Sequence, residues 1–193
     1  MSNNVQHAID LKRATVRIEG ESPLLMPRTR HPEETLSPQE EFERSLRQIS
    51  PSRFGFPSDG VFSALMTAAG RSLRGVVNLL GGPLIEITGS QPRMRQDPVA
   101  DPDHPVTCRA EFYPWELVIR LQYDCARMEL AELIELFERA GFQVGIGSHR
   151  PERGGTFGTF TVKNVLDGSH SQVEQISSQE WLHWPAERRI LEK

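Results

Sequence analysis

One glycine-rich stretch of the sequence carries cationic side chains that could bind phosphate. The stretch GIGSHRPERGGTFG places His149, Arg150 and Arg153 beside the glycine pair Gly154 and Gly155. Glycines let a backbone approach a phosphate closely, and arginine donates charge-assisted hydrogen bonds to its oxygens. The stretch has neither the GK[ST] end of a Walker loop nor the strand–GxGxxG–helix order of a dinucleotide site. We predict a phosphate-binding loop, and the alternative is a charged surface turn.

A second stretch combines a turn with a helix pattern. FGFPSDGVFSALMTAAGR has turn residues followed by apolar residues at helical spacing, with Arg53 before it and Arg71 and Arg74 at its far end. A helix N-terminus can receive a phosphate, and Ser58 can contact the ligand, although capping by Ser58 or Asp59 is the simpler role. We therefore add Arg53, Ser58, Arg71 and Arg74 to the predicted binding surface.

Histidines are the candidates for catalysis, because imidazole can act as a general base near neutral pH. His149 lies inside the glycine-rich stretch, whereas His31 and His170 lie elsewhere, and no HxxxH or HExxH pair is present. His149 is therefore kept as an alternative catalytic residue, and an exposed loop position is the simpler interpretation of each histidine.

Three aspartates could in principle hold a divalent cation. Asp97, Asp101 and Asp103 lie close together, but they lack the glycine and distal glutamate of an EF-hand. Cys108 and Cys125 are the only cysteines and form no CxxC pair, so neither a disulfide framework nor a cysteine-built zinc site is predicted. We predict no metal and no cofactor.

The charges are segregated along the chain. The 193 residues contain 22 basic residues, 19 of them arginine, against 26 acidic residues, for a net charge of -4. Basic residues are in excess in 44–95 and 139–163, and acidic residues in 96–138. The arginine excess fits a GC-rich genome, and it equally suits bidentate contacts with phosphate. The net charge therefore does not exclude a polyanionic partner.

Hydrophobic periodicity predicts the elements that position these residues. Strands are expected at 11–19, 84–89, 115–123 and 157–165, and helices at 58–73 and 128–140. The order βαββαβ is typical of an α+β, ferredoxin-like (RRM-like) fold, an antiparallel sheet with both helices on one face. We predict one domain over 1–166, with insertions at 20–57 and 90–114, and a C-terminal extension at 167–193.

Local signals refine this prediction. Ser37 to Glu40 reads as a capping box that starts a short helix running to about Gln48, with Phe42, Leu46 and Ile49 as its buried stripe. The residues from Phe54 to Ser58 read as a turn, and Gly141 is placed as a helix C-cap. The insertion at 90–114 is expected to be a surface loop or a hairpin.

Membrane insertion and secretion are not predicted. The chain has no apolar run near the roughly 18 residues of a spanning helix, and its N-terminus lacks the apolar core of a signal peptide. We expect a soluble, cytoplasmic protein.

Three stretches, in chain order, carry a resemblance: the first strand ending in EGESPLLM, the turn and helix FGFPSDGVFSALMTAAGR, and GIGSHRPERGGTFGTFTV. Together they resemble the RAMP superfamily, the backbone and related subunits of CRISPR effector complexes. The combination also resembles a family of phage and prophage proteins of uncertain function. The resemblance implies a single-stranded nucleic-acid binder that stacks head to tail along the strand, and some RAMP relatives cut RNA with a histidine base and no metal.

We thus predict a non-enzymatic protein that binds single-stranded RNA, or less favourably DNA, as a homo-oligomer or within a multi-subunit complex. The predicted contacts are Arg53, Ser58, Arg71, Arg74, His149, Arg150, Arg153, Gly154 and Gly155. The alternatives are a phage structural or assembly protein without nucleic acid, and a metal-independent RNA endonuclease that uses His149.

Overall fold

The computed structural model describes residues 9–27, 36–98 and 106–168, which fold as α+β with a mostly antiparallel sheet. The strands are β1 (Leu11–Gly20), β2 (Leu24–Leu25), β3 (Gln48–Ser50), β4 (Arg53–Pro57), β5 (Val77–Leu80), β6 (Leu84–Thr88), β7 (Arg93–Pro98), β8 (Val106–Phe112), β9 (Glu116–Asp124) and β10 (Phe160–Asp167). The helices are α1 (Pro38–Ser45), α2 (Ser58–Ala69) and α3 (Leu130–Arg139). A π-helical turn (Ala140–Val144) continues α3, and a 3-10 turn (Pro151–Arg153) follows.

The main sheet has the strand order β10-β1-β9-β6-β4-β3, and β5 pairs with β9 beside β6. Every described pairing in it is antiparallel. The turn Gly81-Gly82-Pro83 separates β5 from β6, and both glycines have positive φ angles, of 103° and 108°. Such angles favour glycine. The Gly81-Gly82-Pro83 turn interrupts a strand that would otherwise run continuously along β9, and β6 pairs with β4 as well as with β9.

The core lies between this sheet and the helices α2 and α3. On β1 the alternation is strict, because Ala14, Val16 and Ile18 are buried and their neighbours are more exposed. On β9 the buried apolar residues Leu117, Ile119, Leu121 and Tyr123 also alternate, and Asp124 at the end of the strand is buried as well. The apolar stripes of α2 and α3 join these residues in one cluster. The strands predicted from residues 11, 84 and 115 and the two long helices are therefore confirmed.

The opposite face of the main sheet carries polar and charged residues. On β1 these are Arg13, Thr15, Arg17 and Glu19, none of which is buried. At the β10 end of the sheet, the Val162 backbone N–H donates to Glu138 Oε1 of α3 at 3.1 Å.

The predicted hairpin is present, because β7 and β8 pair with each other and with β2 in a second, three-stranded sheet. The helix α1 packs against β8 and begins with the predicted capping box, in which the Ser37 Oγ accepts from the Glu40 N–H. Its buried residues are not the predicted stripe. Glu41 and Ser45 are buried instead, since they accept hydrogen bonds from the β8 backbone at Cys108 and Ala110.

Phe42 and Leu46 are only partly buried, and Ile49 is 40% exposed in β3 because the helix ends at Ser45 rather than near Gln48. The segment predicted as a turn from Phe54 is mostly strand β4, where Phe56 pairs with Ile85 and is buried.

Two further predictions at element ends are wrong. Gly141 does not cap α3 but lies in the π-helical turn, where an added Cβ would lie 2.0 Å from the Phe160 carbonyl oxygen. The chain leaves that turn at Gly145, whose φ is 69°. The last strand begins at Phe160 rather than near 157, because residues 156–159 complete the glycine-rich loop.

No helix within the described ranges is long and apolar enough to cross a membrane. Cys108 and Cys125 are free thiols, and Cys108 is buried. Beyond Asp167 and Gly168, the predicted C-terminal extension lies outside the described residues, as do His31, His170, Asp101 and Asp103.

Candidate functional site

An open cleft of about 470 Å³ lies where the first turns of α2 meet the glycine-rich loop. Its apolar lining includes Phe56, Ala64 and Ile146, and its polar lining includes Arg47, Asp59, Ser63 and Arg150. The cleft therefore brings together the two stretches that the sequence singled out. Its volume lies within the range of small-molecule sites in proteins.

The N-terminus of α2 opens on this cleft without a side-chain cap. The residue in the N-cap position is Pro57, so the prediction that Ser58 or Asp59 caps the helix is wrong. The Ser58 backbone N–H instead donates to the Pro83 carbonyl at 2.9 Å, which ties the start of α2 to the turn before β6. The positive end of the helix dipole faces the cleft lining at Pro57 and Asp59, and the Asp59 carboxylate partly offsets it.

Arg150 lines the cleft from the loop side and is held in place by its neighbours. Its Nε donates to Glu152 Oε2 at 2.8 Å, and its Nη1 donates to the Gly147 carbonyl at 3.0 Å. The side chain is 23% exposed, so part of it stays accessible. The ion pair with Glu152 reduces the positive charge that Arg150 offers to an anion.

Arg47 is the second arginine on the cleft lining, and the sequence interpretation missed it. Its Nη1 donates to the Arg44 carbonyl at 2.8 Å, which places the side chain at the end of α1. The available signal was the arginine excess of residues 44–95, but no motif marked this position. Only the fold of the first insertion brings Arg47 next to α2.

The other residues of the glycine-rich loop have mainly structural contacts. His149 is exposed with a φ of 55°, and its ring meets Phe157 edge-on at a centroid distance of 6.4 Å. An added Cβ at Gly155 would lie 1.8 Å from the His149 carbonyl oxygen, so Gly155 is required by packing. Gly154 ends the 3-10 turn with a φ of 74°. Arg153 is exposed, and no hydrogen bond of its side chain is seen within the described ranges.

Arg95 of β7 packs against this loop, which the sequence did not indicate. Its guanidinium carbon lies 4.6 Å from the Phe157 ring centroid, and it bonds Glu111 and Asp97 at 2.9 and 2.8 Å. These two carboxylates, Glu111 first, raise the pKa of Arg95. The contact links the β7–β8 hairpin to the loop.

Of the nine predicted contact residues, only Arg150 is on the cleft lining, and Arg53, Arg71 and Arg74 also lie outside the glycine-rich loop and the first turns of α2. Arg53 makes a bidentate ion pair with Glu86, at 2.7 and 2.6 Å. Arg71 and Arg74 are exposed beyond the C-terminal end of α2, not on the helix as predicted. A twelve-residue helix is about 18 Å long, so these two arginines lie at the far end of α2 from the cleft.

Within residues 9–27, 36–98 and 106–168, no three His, Cys, Asp or Glu side chains are grouped so that they could hold a metal ion. Asp97 is instead engaged by Arg95.

The chain matches no protein-family model, and a search of curated proteins finds no significantly similar sequence.

Proposed function

We propose that this protein binds single-stranded nucleic acid, RNA before DNA, and that the cleft between α2 and the glycine-rich loop receives part of the strand. The observation that carries the proposal is the pair of arginines, Arg47 and Arg150, on the lining of one cleft. Guanidinium groups suit phosphate oxygens, and the apolar lining formed by Phe56 and Ile146 suits a base or a sugar. Both arginines come from the arginine-rich parts of the chain.

The arrangement of the main sheet supports a ferredoxin-like interpretation of the fold. Taking β5 and β6 as one interrupted strand, the elements β1, α2, β5–β6, β9, α3 and β10 follow the order βαββαβ. The central strands β1 and β9 are flanked by β10 and by β5–β6, as that fold requires. We include in the proposal the RAMP-like relationship and assembly as an oligomer or within a ribonucleoprotein complex, which rest on the sequence resemblance.

Replacing both cleft arginines tests the proposal. The Arg47→Gln/Arg150→Gln variant should bind a labelled single strand more weakly and with a smaller salt dependence. The slope of log K against log salt is negative, and each lost phosphate contact reduces its magnitude by about 0.7. Fluorescence anisotropy over a salt series measures both quantities. The matched control is Arg127→Gln/Arg139→Gln, which removes two exposed arginines that hydrogen-bond the Gly75 and Ala68 carbonyls.

A second variant separates charge from structure at the same site. Glu152→Gln removes the partner of Arg150 and should raise the affinity for the single strand. Absence of any single-strand binding by the wild-type protein at low salt would favour a structural or assembly role without nucleic acid. Loss of the labelled strand by cleavage in metal-free buffer, abolished in His149→Ala, would favour the endonuclease.

A further inference from the structure

The face of the main sheet opposite α2 and α3 is uncovered by any described residue and carries more positive than negative charge. From the alternation of buried residues, it presents Arg13, Thr15 and Arg17 on β1 and Arg120 and Gln122 on β9. Arg13 and Arg120 are exposed. This surface lies apart from the cleft, whose lining comes from α2 and the loops.

Three carboxylates on this face have a basic partner among the described residues, and Glu21 accepts a hydrogen bond from Thr161 Oγ1 at 2.8 Å. Glu116 accepts from Arg17 Nε at 3.0 Å, and Glu19 is paired with Lys163 at 2.8 Å. At the β4–β6 end, Glu86 is paired with Arg53. These three pairs cancel in charge.

Arg13 and Arg120 remain as uncompensated charges, since neither side chain has an ion pair with any described residue. Arg13 lies opposite Gln122, and Arg120 lies opposite Thr15, so the two arginines are diagonal neighbours on adjacent strands. Diagonal neighbours in a sheet are about 7–8 Å apart, within reach of long side chains. The pair therefore forms one local positive patch.

Amide groups flank this patch. Asn78 of β5 lies opposite Gln122 of β9, which itself lies opposite Arg13 of β1. Leu80 is 37% exposed and lies opposite Arg120. The row thus offers two guanidinium groups for phosphate, two amides that can both donate and accept hydrogen bonds, and an apolar side chain for a sugar or base.

We propose that this sheet face is a second contact surface for single-stranded nucleic acid, with Arg13 and Arg120 on phosphates and Gln122 and Asn78 on bases or sugars. The inference rests on the proposed function. An extended polyanion is the favoured occupant, because Arg13 and Arg120 are both positive and neither has an ion pair with a described residue. The surface gives the bound nucleic acid a second place of contact, separate from the cleft.

The Arg13→Gln/Arg120→Gln variant tests this surface against the control Arg127→Gln/Arg139→Gln, which makes the same change in net charge. We expect weaker binding of a long labelled strand and a salt slope reduced by about 1.4, twice the single-contact value, with little change in the control. Combined with the cleft variant, the two losses should add on a logarithmic scale, because distant sites are independent. Photocrosslinking of the bound strand should label peptides of β1 and β9.

The outcomes are distinguishable. If the wild-type protein binds the strand and the Arg13/Arg120 variant binds it with unchanged affinity and slope, this inference is wrong and the proposed function stands. If only the sedimentation behaviour of the protein changes, the face is a protein contact and the inference is also wrong. If the wild-type protein binds no single strand, both proposals fail.

Discussion

At the scale of single residues, Glu41 has a role that its type does not indicate. It is a carboxylate on a short helix, yet it is only 7% exposed and accepts the Cys108 N–H at 2.6 Å. One turn later, Ser45 accepts the Ala110 N–H at 2.8 Å while donating to the Phe42 carbonyl. Residues four apart lie on one side of a helix, and these two therefore satisfy alternate donors of one strand.

Glu41→Ala should lower the free energy of unfolding by about 1–3 kcal/mol, because the buried Cys108 N–H loses its acceptor. Urea denaturation followed by circular dichroism measures the change. The control is Glu43→Ala on the exposed side of α1, where only a hydrogen bond from Gln39 is lost. Equal effects of the two substitutions would contradict the role assigned to Glu41.

The candidate site was predictable at Arg150 and not at Arg47. Arg150 belongs to a recognisable glycine-rich motif, whereas Arg47 has no local signature and reaches the cleft through the tertiary position of α1. For Gly155, the sequence correctly marked a special position, but the structure gives packing against the His149 carbonyl as its reason. Local sequence thus indicated which residues were unusual, without separating structural from binding roles.

At the scale of elements, periodicity was sufficient where one face of a long element is buried. The alternation on β1 and β9 and the helical spacing in α2 gave the correct structure. It failed for β4, because Arg53 to Pro57 contains a glycine and a proline that are typical of turns. Gly55 is required there by packing, since an added Cβ would lie 2.9 Å from both Ile49 Cδ1 and Leu84 Cβ.

The ion pair between β4 and β6 should contribute to stability only at sufficiently high pH. The hydrogen bonds from Arg53 lower the pKa of Glu86, against a smaller opposing effect of burial. Because the folded-state pKa is below the unfolded value, the contribution is complete above the unfolded pKa, about 4.3, and is lost as the pH falls through the folded value.

Glu86→Gln should therefore lower the urea midpoint slightly at pH 7, and the difference from wild type should vanish in acid. The effect is small because the Arg53 side chain is 56% exposed. Urea titrations at a series of pH values test this, with Glu135→Gln on the exposed side of α3 as a comparison. A difference that persists unchanged at low pH would show that the amide acts through packing rather than charge.

At the scale of the whole molecule, Trp115 joins parts of the chain that are distant in sequence. Its ring is fully buried one residue before β9, and its Nε1–H donates to the Ser22 carbonyl at 2.8 Å. It meets Phe160 of β10 nearly edge-on, and an added Cβ on Gly20 of β1 would lie 2.1 Å from it. Three adjacent strands of the main sheet therefore depend on one side chain.

Trp115→Phe should lower the free energy of unfolding by about 1–3 kcal/mol, because the Ser22 carbonyl loses its donor and the smaller ring leaves space. The matched control is Tyr113→Phe, since Tyr113 is 47% exposed two residues away. Chemical denaturation followed by far-ultraviolet circular dichroism avoids the changed fluorescence of the variant. If Trp115→Phe lowers the free energy of unfolding no more than Tyr113→Phe does, this role of Trp115 is contradicted.

The hydrogen bond from the Val162 N–H to Glu138 affects how copies of this protein can associate. A neighbouring molecule that extended the sheet by pairing with β10 would first have to displace the Glu138 carboxylate. The contact therefore opposes sheet continuation between subunits at this position of β10. An ordered assembly that left this contact intact would use side chains and loops at its subunit boundaries.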